Sequence, residues 1–184
     1  MSVPSEIESF ASMHGLKFKR ESSIDGNAHE YAYSQDMAKR YAYSQTWNAA
    51  KPKVLWVMLN PGTGETEKRR RNTLERCKLW SSEWGFGGLF IGNVFATRTK
   101  SAKELANQGK EPDKLNEAAL RLLKAVATET VVAWGSKGRH QGGAKLLAPL
   151  LEGAACLGLT VSGEPRHPLY VSKLTSRTRW ASHA

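Results

Sequence analysis

Val54-Leu55-Trp56-Val57-Met58-Leu59-Asn60-Pro61-Gly62-Thr63-Gly64 decides the fold class. Six apolar residues in a row make a strand-length segment bounded by turn residues. An amide, a proline and two glycines then end it, so a polar side chain and bare backbone stand at the carboxyl end of the strand. Open α/β sheets place their ligands at that edge. Outward from this stretch, further apolar runs predict strands at 89–95, 130–134 and 155–160. A helical segment with Leu74, Cys77, Trp80 and Trp84 separates the first two and stops at Gly85. Ser101 and Glu104 form a capping-box start for a short helix. Pro112 opens a longer one with Leu115, Ala119, Leu122, Leu123 and Val126 on one face, and 143–151 reads as a last helix. Short apolar strands alternating with helices predict a three-layer αβα core with a central four-stranded parallel sheet.

Upstream, residues 1–15 read as a short helix carrying Ile7, Phe10 and Met13. Asp25-Gly26-Asn27 predicts a hairpin turn between strands at 17–24 and 29–33. Tyr-Ala-Tyr-Ser-Gln occurs at 31–35 and again at 41–45, too few copies for a solenoid. Their alternating tyrosines suit strand edges, and no site is expected there. The reading is one domain over 1–184, with residues 1–50 a small N-terminal β elaboration and 51–184 the αβα core.

The chain has 27 basic and 17 acidic residues, a net charge of +10. Such an excess favours a polyanionic partner, nucleic acid first. No apolar run approaches the roughly 20 residues of a membrane span, and the N-terminus lacks the basic-then-apolar pattern of a signal peptide. A cytoplasmic protein with no membrane partner is expected. Cys77 and Cys156 are the two cysteines. They read as buried thiols, well short of the roughly four thiolates of an iron–sulfur cluster. Neither cysteine nor histidine clusters as zinc ligands do, so neither metal nor cofactor is expected. Oligomeric state is not legible.

Three polar residues carry the chemistry. Pro61 holds Asn60 extended, and the glycines let a ligand approach the main chain. An asparagine is no base, but its amide oxygen can orient a water and its nitrogen can donate to a leaving group. The alternative is a plain βα turn, for which Asn-Pro-Gly is suitable. Arg166-His167-Pro168-Leu169-Tyr170 holds a histidine between Pro165 and Pro168, able to donate to developing negative charge. A lone loop histidine is more often without a role. Asn93 lies inside the apolar stretch 89–95 and must find hydrogen-bond partners or cost stability. Its amide offers a donor and an acceptor side by side, the pattern that reads a base edge; the alternative is a structural asparagine tied to a neighbouring loop.

Together these stretches resemble the uracil-DNA glycosylase superfamily. Met58-Leu59-Asn60-Pro61-Gly62 is similar to the water-activating Gly-x-Asn-Pro-Gly of its mismatch-specific branch. Asn93-Val94-Phe95-Ala96-Thr97 is similar to the base-reading strand, and Val132-Ala133-Trp134-Gly135-Ser136 to the third strand of the uracil branch. Arg166-His167-Pro168-Leu169 resembles the His-Pro-Ser minor-groove loop, and all four follow the family order over 54–170. The Leu-Asn-Pro-Gly and Arg-His-Pro-Leu-Tyr motifs suggest a bacterial and phage branch.

The resemblance implies hydrolysis of the N-glycosidic bond of a flipped-out uracil, mismatched or 5-modified pyrimidine in double- or single-stranded DNA. Asn60 would position the water and His167 would stabilise the departing base. Leu59, Gly62 and Asn93 would bind that base. Gly62 stands where the uracil branch has a tyrosine that walls off 5-substituents, so Gly62→Tyr should restrict substrates to uracil. Asn60 in place of an aspartate implies slower chemistry, and Leu169 removes a phosphate-contacting hydroxyl. Leu169 or Tyr170 would be the wedge that fills the vacated space. Trp80, Trp84 and Phe86 are stacking candidates, with core packing the better reading for the tryptophans. Lys68, Arg69, Arg70, Arg71, Lys137, Arg139, Arg166, Lys173 and Arg177 would contact DNA as a basic rim; Arg179 lies beside them. The alternative is a non-catalytic nucleic-acid binder on the same fold.

Overall fold

The computed structural model describes residues 3–64, 72–100, 104–105, 113–141, 145 and 147–181. Helix α1 (Glu6–Met13) is capped by Ser5, whose hydroxyl accepts from the Glu8 amide. Strands β1 (Lys17–Ser22) and β2 (Ala28–Tyr33) form the expected hairpin, and Gly26 takes the left-handed turn at φ +77°. Strand β3 (Arg40–Thr46) contains the second Tyr-Ala-Tyr-Ser-Gln copy. Then come β4 (Lys53–Met58), α2 (Asn72–Glu83), β5 (Gly88–Asn93), α3 (Lys114–Val126), β6 (Glu129–Val132), β7 (Ala155–Cys156) and β8 (Thr178–Arg179).

The sheet corrects the expected fold. It is one mixed sheet of eight strands in the order β1-β2-β3-β5-β4-β6-β7-β8, with three helices among the described residues, rather than an αβα sandwich around four parallel strands. Strands β5, β4, β6 and β7 run parallel at its centre. The cause of the difference is the outer edge of β5. There Tyr43 pairs with Ile91 and Thr46 with Gly88, antiparallel, so the N-terminal strands continue the sheet instead of standing beside it. At the opposite edge β8 adds antiparallel to β7. Pairing both edges of the parallel core leaves fewer open backbone groups.

Other boundaries shift as well. The strand expected at 155–160 is two residues long, because the chain bends at Gly158 (φ +87°) into a tight turn. Within the helix expected at 143–151, residues 145 and 147 are helical and 148–153 form turns, while 142–144 and 146 lie outside the described residues, as do Ser101 and Pro112. Asp113 caps α3 by accepting from the Leu115 and Asn116 amides.

Both faces of the sheet are covered. Ile7 and Ala11 of α1 and Leu120 and Leu123 of α3 pack with Leu55, Val57 and Phe90 on one side. Cys77 and Trp80 of α2 pack with Val54, Trp56 and Ile91 on the other. Trp56, Trp80 and Trp84 form a three-ring cluster, with centroids 6.2 Å (Trp56 to Trp80), 5.5 Å (Trp56 to Trp84) and 6.3 Å (Trp80 to Trp84) apart. Those rings belong to the core, not to a ligand. Both cysteines are buried and free. No helix among the described residues is long and apolar enough to cross a membrane.

Candidate active site

The carboxyl ends of β4, β5 and β6 open into a cleft of about 1210 Å³. Its floor comes from Met58, Leu59 and Asn60, one wall from Asn93, Arg40 and Tyr43, and the other from Trp134–Lys137, Arg166 and His167. Asn60 and His167, about a hundred residues apart in sequence, therefore line one cavity. Backbone bonds continue past the strands, from the Val94 amide to Met58 O (2.8 Å) and from the Phe95 amide to Leu59 O (3.0 Å). They fix the Asn60 loop against the segment after Asn93.

Asn60 is held by its nitrogen. Nδ2 donates to the Pro61 carbonyl (3.1 Å) and to Thr99 Oγ1 (2.9 Å), and the Thr99 amide donates back to Pro61 O (3.1 Å). The amide plane is thereby fixed, and Oδ1 is the atom left to accept from a water or ligand. Gly62 beside it is exposed, and a Cβ built there meets nothing within 4 Å. The space that a larger side chain would take is open.

His167 caps the 3-10 turn Pro168–Tyr170, with Nδ1 accepting from the Leu169 amide at 3.3 Å. An accepting Nδ1 puts the proton of the neutral ring on Nε2, leaving that N–H to donate. Burial lowers its pKa from 6.5 to about 4, so the ring is neutral near pH 7. Gly135, at φ +78°, approaches so closely that a Cβ would lie 3.1 Å from the His167 Cβ. Its amide donates to Pro165 O (2.8 Å), fixing the loop that carries the histidine. A side chain at Gly135 would be strained and would push on the imidazole.

Asn93 is 1% exposed, and neither Nδ2 nor Oδ1 has a hydrogen-bond partner among the described residues. Leaving such groups unmade costs about 1–3 kcal/mol. The backbone around it is anything but loose: Asn116 Nδ2 donates to the Asn93 and Val94 carbonyls at 2.9 Å and 3.0 Å. A rigid strand end thus presents an unpartnered amide to the cleft.

Of the expected rim, Lys137, Arg166 and Tyr170 line the cleft. Arg166 Nε donates to Leu159 O (2.9 Å). Tyr170 is 82% exposed with its ring 5.6 Å from that of His167, and Leu169 is 40% exposed but outside the lining. Lys173 is exposed and also outside it. Arg177 belongs elsewhere. It pairs with Glu129 (3.3 Å) at the start of β6 and lies 4.3 Å over the Trp84 ring, at the amino end of the parallel strands. Arg179 sits on β8. Lys68, Arg69, Arg70 and Arg71 lie outside the described residues, as does the side chain of Arg139.

Sequence reading missed four contributors: Arg40 and Tyr43 on the strand expected to carry no site, and Thr99 and Asn116. The hydroxyl that orients Asn60 comes from Thr99, two residues beyond the quoted Thr97. A polar Asn116 on the buried face of α3 was the one visible signal. Arg40, Lys100, Lys137 and Arg166 are the cations of the cleft, and no carboxylate is among its described lining residues. No group of three or more His, Cys, Asp or Glu that could hold a metal ion occurs among the described residues.

Residues 40–169 match the family described as "Protein of unknown function (DUF1643)". The chain belongs to that family. No curated protein and no solved structure matches the chain. The family segment opens on the first residue of β3 and closes within the turn that His167 caps. It therefore takes in Arg40, Asn60, Asn93 and His167 together.

Proposed function

We propose that this DUF1643 protein is a DNA glycosylase that hydrolyses the N-glycosidic bond of a flipped-out uracil, mismatched or 5-modified pyrimidine, on a fold related to the uracil-DNA glycosylases. The observation that carries the reading is Asn93: a buried amide, unpartnered among the described residues, lines the same cleft as Asn60 and His167. A base edge with adjacent acceptor and donor would satisfy both of its atoms. The uncompensated cost of burying them is then recovered when ligand binds.

In this reading the water hydrogen-bonds to Asn60 Oδ1 and attacks the anomeric carbon of the sugar. The bond from that carbon to the ring nitrogen breaks, and its electron pair leaves on the base. The neutral His167 donates its Nε2–H to the base oxygen on which that negative charge gathers. The water's proton passes to solvent, and the base later takes up a proton. Lys137 and Arg166 offer positive charge for phosphates beside the cleft. Cytoplasmic location belongs to the same proposal.

The lack of a carboxylate among the described lining residues favours a second reading, a nucleic-acid binder that holds a base without cleaving it. An abasic-site assay separates the two. Duplex and single-stranded oligonucleotides would carry uracil, mismatched thymine, hypoxanthine or 5-modified cytosine. Alkali-labile scission, lost in Asn60→Ala and His167→Ala, is the expected result. Salt-sensitive binding without scission on any substrate would refute the glycosylase and leave the binder.

A further inference from the structure

Thr160-Val161-Ser162-Gly163 closes a short hairpin just ahead of the His167 turn. Leu159 bridges Pro165, and the Thr160 amide donates to Glu164 O at 2.8 Å. The Gly163 amide donates back to Thr160 O (2.9 Å), with Gly163 left-handed at φ +80°. Thr160 Oγ1 accepts from the Glu164 amide (3.1 Å), and the Arg166 amide donates to Gly158 O (2.9 Å). The hairpin is therefore held at its base and at its tip. Serine and glycine suit such a turn, but a β-branched apolar residue does not. Val161 is fully exposed, so the core gains nothing from it, yet it lines the cleft with Thr160 and Ser162. Tyr170, at the other end of this segment, is exposed and lines the cleft too. Its turn is anchored by the buried Pro168 and by the Tyr170 amide, which donates to His167 O at 3.0 Å.

An exposed ring and an exposed valine on fixed supports offer apolar contacts to whatever enters the cleft. Lys137 and Arg166, both exposed, line it as well, and no carboxylate is among its described lining residues. Glu164, the hairpin's own acid, accepts from Trp134 Nε1. A ligand that fits this face carries negative charge and flat apolar surface together. Unpaired nucleic acid does, because its backbone is charged and its bases are free to stack on aromatic side chains. In a duplex those base faces already cover one another. At about 1210 Å³ the cleft exceeds the roughly 300–1,000 Å³ of a small-ligand pocket, so one pyrimidine leaves room for its neighbours.

From this arrangement we infer that the cleft takes single-stranded DNA in preference to duplex, with Tyr170 the platform for the base next to the one held at Asn93 and Val161 the apolar contact for a further base. Tyr170 then stacks on a strand instead of wedging into a duplex. Lys137 and Arg166 meet the phosphates between. The inference rests on the nucleic-acid part of the proposed function but not on bond cleavage.

Fluorescence anisotropy with a uracil-containing oligonucleotide of about fifteen nucleotides, alone and annealed to its complement at one salt concentration, tests it. The full chain is titrated as wild type and as Asn60→Ala, which keeps product from forming. The single strand should bind about tenfold or more tightly than the duplex. Tyr170→Ser should weaken single-strand binding about tenfold and duplex binding less than about twofold, while Tyr170→Phe keeps the preference. Val161→Ser should cost about threefold on the single strand. Both side chains are exposed, so the urea midpoint of each variant should match wild type. Duplex binding as tight as single strand, no binding to either, or a Tyr170→Ser loss that is absent or equal on both forms would overturn the inference. The two proposals fail separately. A single-strand preference lost in Tyr170→Ser, without abasic product on any oligonucleotide, removes the glycosylase and keeps the strand site. Abasic product without that preference does the reverse.

Discussion

The two walls of the cleft differ in how far their polar atoms are already engaged. On the β6 side, His167 is half committed: Nδ1 is taken by the Leu169 amide and Nε2 is left to donate. Asn60 on the floor is similar, with its nitrogen bonded twice and its oxygen left over. On the β3–β5 side, the Asn93 amide has no hydrogen-bond partner among the described residues, although the backbone that carries it is pinned by Asn116. Groups that act on a reacting centre gain from being oriented in advance, since reorientation then costs nothing at the moment of reaction. A group that reads a ligand gains from being empty, since the ligand's absence then carries the penalty. In the proposed glycosylase, the contrast would put chemistry on one side and recognition on the other.

The largest way to sharpen that contrast is to truncate each side. Asn60→Ala and His167→Ala should each lower the single-turnover excision rate by about 10²–10³-fold. Neither should move oligonucleotide affinity by more than about threefold, because the cations proposed to meet phosphates are untouched. Asn93→Leu should behave in the opposite way. It removes two buried, unpartnered groups at similar volume, so urea denaturation should show a gain of about 1–3 kcal/mol, while excision and free-base binding disappear. A loss of stability would mean that Asn93 is a structural residue and would break the comparison. Thr99→Val takes one of the two acceptors from Asn60 Nδ2. It should slow excision by about tenfold, the equivalent of about 1.4 kcal/mol, with base affinity retained.

The smallest effect concerns pH. Burial holds the His167 pKa at about 4 against 6.5 in the unfolded chain. Between those values the unfolded state binds the extra proton, so this group's contribution to stability is complete above 6.5 and is lost as pH falls toward 4. Excision should therefore stay level through 6.5 as far as this histidine is concerned and change only near 4. An NMR titration of the His167 ring checks the midpoint, and a value near 6.5 would remove the argument for a neutral donor.

How much of this was legible in the sequence follows the same division. Asn60, Asn93 and His167 stand next to turn residues or interrupt apolar runs, so local pattern exposes them. Strands β4, β5 and β6 were legible as apolar runs for the same reason. Arg40 and Tyr43 reach the cleft only because β3 pairs with β5 across some fifty residues of chain, and no local pattern records that pairing. The overall sheet was misread on the same account, since alternating tyrosines fit a free-standing hairpin as well as an extension of the central sheet. Arg177 shows the converse error. Nearness in sequence to the His167 loop suggested a shared edge, whereas its contacts with Glu129 and Trp84 hold it at the far end of the strands.

The claim that both walls serve one ligand is tested most directly by NMR on the free protein. The side-chain amide of Asn93 and the Nε2–H of His167 would be followed while a free pyrimidine base is added. The account predicts that both signals shift along one binding curve, and that Asn93→Leu abolishes the shift at His167. A His167 response that is unchanged in Asn93→Leu, or no response at Asn93, would contradict it.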